Sequence, residues 1–207
     1  MDFLNKQSCG GFAGPRWQDL ARAVERSLRA CALSIAIAAG AAGPCAAQSD
    51  TQAAEYRVKA AFLYKFGGYV EWPERAFTRP DSPIAIGVIG ADTLAGELAQ
   101  IVAGRTINGR PVTVRKLRRG DAVAGLHVLF VGRSDSSRLA DILAAAKGQP
   151  LLTVTETEEA FESGSMINFV VVEDKVRFDV APPPAEPGNL RISARLLAVA
   201  RKVVAGS

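Results

Sequence analysis

The sequence predicts an α/β fold: a three-layer sandwich in which a mixed, partly parallel central sheet is flanked by helices and closed by a C-terminal hairpin plus helix. Three observations predict it. Short apolar runs of strand length alternate with stretches of helical period from about Ala54 onward. Strands joined by helices favour a partly parallel sheet with both faces covered. Near the C-terminus, two runs meet across Glu173-Asp174 as a hairpin, and a last segment of helical period follows.

Residues 1–47 stand apart from this pattern. Arg22, Arg26 and Arg29 precede CALSIAIAAGAAGPCAA, an uncharged apolar run that ends in small residues. This is the layout of a secretory signal peptide. The run is too short and too small-sided for a membrane span, which needs about 20 strongly apolar residues. Cleavage is expected after Ala47, with Cys45 and Ala47 as the small residues at the third and first positions before the cut. The stretch before the arginines is unusually long for a leader, so residues 1–47 read as a signal peptide with an over-long start. Residues 48–207 read as a single domain. All three cysteines, Cys9, Cys31 and Cys45, fall in the leader. The exported domain is therefore expected to carry no disulfide and no thiolate metal site.

The first element of the domain is a helix in AEYRVKAAFLYKFGGYV. Val58, Phe62, Phe66 and Tyr69 recur at steps of three and four, and Leu63 and Val70 widen the stripe. Gly67-Gly68 weakens the end and Pro73 stops it. PIAIGVIG follows as a strand, and ADTLAGELAQIVAG as a helix with Asp92 as its N-cap and Gly104 as its stop. INGR turns into PVTVRKL, a strand with Val112 and Val114 on one face. GLHVLFVG is the most buried-looking strand. Ser134 or Asp135 caps a helix in SSRLADILAAAKG, and PLLTVTE is the next strand. SMINFVVVEDKVRFDV is the hairpin. NLRISARLLAVARKVV reads as the closing helix, with Leu190, Ala194, Leu197 and Arg201 on one face. APPPAEPG before it is a stiff, extended connection.

Charge excludes one class of partner. The formal net charge is +4 over 207 residues, but five of the 25 basic and three of the 21 acidic residues lie in the leader, leaving 20 and 18. Charges so balanced and interspersed do not make a nucleic-acid surface. Catalytic motifs are also missing: there is no G-x-S-x-G, H-E-x-x-H or P-loop. GVIGAD lacks the spacing of a dinucleotide loop and reads as a strand end running into a capped helix. His127, the lone histidine, sits inside an apolar strand and reads as a packed structural residue. Glu156, Glu158, Glu159 and Glu162 read as the solvated face of a short helix. The reading is thus of a non-enzymatic protein with no cofactor and no metal.

Two regions remain as candidate sites. Ligands of open α/β sheets gather beyond the carboxyl ends of the parallel strands. That places Gly90 to Asp92, Gly132 to Ser137 and Thr155 to Thr157 on one rim. Asp92, Arg133 and Ser134 are the candidate ligand-binding residues there, with Arg133 and Ser134 suited to an anion at a helix N-terminus. Tyr69, Trp72 and Pro73, at the break after the first helix, are the candidate partner-interface residues, because aromatics beside a chain reversal often anchor partners.

VKAAFLYKFGGYVEWP resembles the signature of YfiR-like proteins, exported regulators whose founding member restrains a membrane-bound diguanylate cyclase. The resemblance continues through IAIGVIGADTLAGEL, GLHVLFVG, GSMINFVVVEDKVRFDV and LRISARLLAVARKV, and so covers nearly all of Tyr56 to Val204. It implies a periplasmic, often dimeric domain in cyclic-di-GMP signalling. Such a domain binds the periplasmic part of an inner-membrane diguanylate cyclase and holds it inactive, with an outer-membrane lipoprotein able to sequester it. Family members also occur beside sensor kinases and outer-membrane receptors, which implies the alternative of a small-ligand-binding sensor module. Two departures stand out. Founding members carry disulfides, and the domain here has no cysteine. Ala181 takes the place of the asparagine that usually follows the family's hairpin, and PPPAEP comes next.

Overall fold

The computed structural model describes residues 44–182 and 190–204. The chain divides into two units, residues 1–48 and 49–207. The expected leader lies almost wholly outside the described residues. The second unit is a mixed α/β sandwich, as the sequence predicts, built among the described residues on a curled eight-stranded sheet with four helices.

Helix α1 spans Pro44–Gly68. It ends at the two glycines rather than at Pro73, and Val70–Glu71 form a short strand, β1, before the proline is reached. Its buried face is Tyr56, Lys59, Ala60, Leu63 and Phe66. The expected stripe is therefore turned: Leu63 and Phe66 are buried, but Val58 and Tyr69 are 44% and 39% exposed. Apolar residues lie on both sides of this helix, so spacing alone could not say which side faces the sheet.

The sheet runs β10-β8-β7-β6-β5-β2-β4-β3. Its strands are β2 (Ile84–Ile89), β3 (Thr106–Ile107), β4 (Arg110–Leu117), β5 (Val128–Val131), β6 (Leu152–Thr155), β7 (Ile167–Val172), β8 (Lys175–Val180) and β10 (Lys202–Val203). The five central strands, β7 to β4, pair in parallel. Every residue of β2, β5 and β6 is buried, which is why β2 and β5 read as runs without a polar side chain, while β6 buries Thr153 and Thr155 between its apolar residues. Two tight turns close the antiparallel pairs. Asn108-Gly109 joins β3 to β4 and Glu173-Asp174 joins β7 to β8, all four with positive φ as such turns require.

Helix α2 (Asp92–Val102) packs with α1 on one face of the sheet, and α3 (Leu139–Ala146) on the other. The larger core holds Phe66, which stacks on Phe62 and Phe169 at 5.9 and 5.7 Å and meets Phe178 edge-on at 4.9 Å. Two expected caps and one expected helix are corrected. Asp92 is the first helical residue, with Ala91 in the cap position, so its carboxylate sits in the first turn without capping. A 3-10 turn, Arg133–Arg138, replaces the first turns expected after Ser134 or Asp135, and α3 starts only at Leu139. Glu158 to Glu162 form successive turns rather than a helix, and Glu156 is buried rather than on a solvated face.

The expected closing helix is broken in three. Strand β9 (Arg191–Ile192) pairs with β1, helix α4 spans Ala194–Val199, and β10 then joins the sheet beside β8. Ser193 starts the helix by accepting the Leu196 N–H at 3.4 Å. Arg201, expected on the helix, lies beyond it and grips the Asp179 carboxylate with two nitrogens, Nε at 2.7 Å. That grip favours the charged guanidinium and raises its pKa. Strand β10 covers only Asp179 and Val180 of β8.

Candidate functional site

The candidate rim gathers the carboxyl ends of β2, β5 and β6. Strand β2 has β4 on one side and β5 on the other, and the helices that follow β2 and β5 lie on opposite faces. Such a switch point opens a crevice at the strand ends, where open sheets bind ligands. Here the chain fills the crevice itself. The Gly132 N–H donates to the Ile89 carbonyl at 2.8 Å, and a Cβ on Gly132 would stand 2.4 Å from the Gly90 carbonyl oxygen. The Ser134 hydroxyl donates to that same carbonyl at 2.8 Å.

Room opens one strand further along, between the ends of β5 and β6. A cleft of about 720 Å³ is lined by Arg133, Ser136, Ser137, Glu156, Glu158 and Ser163, among others. Of the candidate ligand residues, Arg133 lines this cleft, Ser134 is turned to Gly90, and Asp92 is exposed at the start of α2. The cleft presents hydroxyls, carboxylates and one guanidinium, and His127 sits at the opposite end of β5. Among the described residues no group of three His, Cys, Asp or Glu is placed to hold a metal ion.

Beneath the cleft lies a buried charge network that the sequence reading missed. Lys59 is fully buried on the core side of α1, and its Nζ donates to the Glu55 carboxylate and to Glu156 Oε2, the latter at 2.5 Å. Glu156 Oε1 accepts the Arg133 backbone N–H at 3.0 Å, and the Glu156 carbonyl accepts Arg133 Nε at 3.4 Å. Arg133 Nη2 reaches Glu55 at 3.4 Å. Two acids and two bases thus join helix α1 to the ends of β5 and β6 with no net charge. The Tyr56 hydroxyl lies 3.5 Å from Glu156 Oε1, and burial foremost, then the Glu156 charge, raises its pKa. The phenol consequently stays protonated and able to donate. The signal was available in principle: Lys59 falls in phase with Tyr56, Leu63 and Phe66, and Glu156 directly follows a fully buried strand.

The partner-interface candidates lie at the other end of α1. Tyr69 is exposed, whereas Trp72 and Pro73 are half-buried, and Trp72 packs against the main core. Tyr69 continues the outward side of α1, where Arg57, Val58, Ala61, Phe62 and Lys65 line a shallow apolar cleft of about 290 Å³.

Comparison with known families now bears on this geometry, since the YfiR/HmsC-like profile matches residues 56–201. The chain belongs to the YfiR/HmsC-like family. The match takes in α1 from Tyr56, the whole rim and the C-terminal segment through α4, and stops just short of β10. YfiR/HmsC-like membership fits a periplasmic regulator of a diguanylate cyclase, and regulatory rather than catalytic action is general in that family. No curated protein matches the chain. No helix among the described residues is long and apolar enough to cross a membrane.

Proposed function

We propose that this protein is a periplasmic, non-enzymatic regulator that docks on the periplasmic part of an inner-membrane signalling protein, a diguanylate cyclase, and holds it inactive. The observation that carries this reading is the outward side of α1. There Val58 and Tyr69 are exposed and Ala61 and Phe62 line an apolar cleft, while the inward side of the same helix buries a lysine. A helix with apolar residues on both sides is built to be covered on both sides. Docking that favours the inactive partner by 1.4 kcal/mol shifts its population about tenfold, so a modest interface suffices. Family membership supports the class of partner. A sensor kinase as partner, an outer-membrane lipoprotein that sequesters the protein, and a homodimer belong to the same proposal.

The test is cellular cyclic-di-GMP with and without the gene. Deletion is expected to raise it, and the wild-type chain to restore it. Val58→Glu and Tyr69→Glu are expected to fail in restoration while leaving thermal stability within about 0.5 kcal/mol, as for other surface changes. Unchanged cyclic-di-GMP on deletion, with the protein confirmed as expressed and exported, overturns the cyclase reading.

The cleft between β5 and β6 favours a second reading, a small-ligand sensor acting with a sensor kinase or outer-membrane receptor. A lining that holds both Arg133 and Glu158 suits a polar, zwitterionic compound. Such a ligand at 100 times its Kd would stabilise the protein by about 2.7 kcal/mol. A thermal-shift screen of amino acids is expected to show that gain in wild type and to lose it in Arg133→Ala.

A further inference from the structure

His127 enters at the amino end of β5, next to Val128, and is only 3% exposed. The Ala85 N–H donates to its Nδ1 at 3.2 Å. A backbone amide can only donate, so Nδ1 is an acceptor and the ring is the neutral tautomer with its proton on Nε2. Phe77 stacks on the ring with centroids 4.6 Å apart, and Trp72 meets it edge-on at 5.8 Å. His127 Nε2 and Trp72 Nε1 are both buried without a hydrogen-bond partner among the described residues.

Trp72 and Phe77 belong to one strap, Trp72–Pro83, that contains a 3-10 turn at Glu74–Ala76. Arg110 of β4 holds the strap from its far end. Its guanidinium lies 3.7 Å from the Phe77 ring centroid, and Nη1 donates to the Arg79 and Ser82 carbonyls at 3.3 and 3.0 Å. Arg110 is therefore a fixed cation one ring away from His127. Among the described residues no carboxylate is placed to offset it at the imidazole. Glu71 and Glu74 are exposed, Asp81 pairs with Arg79 in solvent, Arg75 is exposed, and the flanking residues Ala85 of β2 and Leu152 of β6 carry no charge.

We propose that His127 is a proton-operated latch on the strap Trp72–Pro83, closed while the imidazole is neutral and loosened when it takes up a proton. A proton on Nδ1 would set two donors, Nδ1–H and the Ala85 N–H, against each other. It would also bury a second cation beside Arg110. Both penalties are relieved by lifting Phe77 and Trp72 away and admitting water. Burial foremost, with Arg110 adding to it and the Ala76 backbone offsetting part, lowers the imidazole pKa from its ordinary 6.5. The loosened form thus binds the proton more tightly than the closed form. Strap stability is full above about pH 6.5, declines as the pH falls towards the depressed folded value, and is level below it. Because the strap begins three residues after Tyr69, the latch also regulates the outward side of α1 as a partner surface. That regulatory half rests on the function proposed above; the latch itself does not.

The experiment uses the full chain with Trp17→Phe, which leaves Trp72 as the one tryptophan. On acidification Trp72 emission is expected to move to longer wavelength. The Ala85 amide protection factor is expected to fall about tenfold per pH unit within the window. In His127→Asn the Oδ1 atom keeps an acceptor near Ala85 but takes up no proton, and both responses should vanish. A wild-type protein that titrates His127 with no change at Trp72 or Ala85 overturns the latch, as does a transition that persists in His127→Asn. Should that variant fail to fold, the wild-type imidazole NMR titration decides, since a midpoint that differs from that of Trp72 also overturns it. Cyclic-di-GMP repression that keeps the same pH dependence in His127→Asn overturns the regulatory half. If Val58→Glu also leaves repression intact, the fault lies with the partner surface and not with the latch.

Discussion

Lys59→Met is expected to destabilise the protein by about 3–5 kcal/mol, because it leaves the Glu156 carboxylate buried without its cation. For a unit of this size that is a fall in Tm of roughly 10 °C. Burial of the pair is not itself the source of stability, since desolvating two charges offsets most of their attraction. The decisive comparison is the double variant Lys59→Met with Glu156→Gln. The glutamine side chain keeps an oxygen for the Arg133 N–H and removes the stranded charge, so the double variant should recover most of what the single change loses. Urea unfolding of the four proteins measures the coupling. Additive effects would show that Lys59 and Glu156 do not act as a pair.

Phe66→Ala is expected to cost about 3–5 kcal/mol, the usual range for a buried aromatic truncated in a packed core. Phe66 is 1% exposed and lies between Phe62, Phe169 and Phe178. Because these four rings join α1 to β7 and β8, their loss should loosen the helix and the hairpin together. Phe66→Leu keeps most of the volume and should cost less than half as much. Equal losses for the two changes in chemical denaturation would mean that ring packing is not what the position requires.

Much of the fold could be read in the sequence, and the reason differs by element. Strands β2 and β5 are buried on both sides, so they carry no polar side chain and the runs stand out. The β7–β8 hairpin announces itself through Glu173-Asp174. The C-terminal segment misleads because Leu190, Ala194, Leu197 and Arg201 keep a helical spacing, whereas its two ends are claimed by pairing with β1 and β8. No local signal reports such distant partners.

The site was legible in part for a similar reason. Arg133 at a strand end follows from topology alone, and it does line the open cleft. Lys59 and Glu156 are 97 positions apart, and each is explicable alone as a surface charge. Only their meeting inside the protein gives them meaning. The two-sided apolar character of α1 hid its orientation, so the helical stripe took in Val58 and Tyr69 and left out Lys59.

The short reach of β10 has a consequence for life at high concentration. Because it covers only Asp179 and Val180, the outer edge of β8 at Lys175–Arg177 has no neighbouring strand among the described residues. An uncovered edge invites a like edge from another molecule and growth into aggregates. Here two cations, Lys175 and Arg177, stand on that edge, and two identical edges that approach each other bring like charges together. The same residues that leave the sheet unfinished thereby keep it from being finished by a stranger.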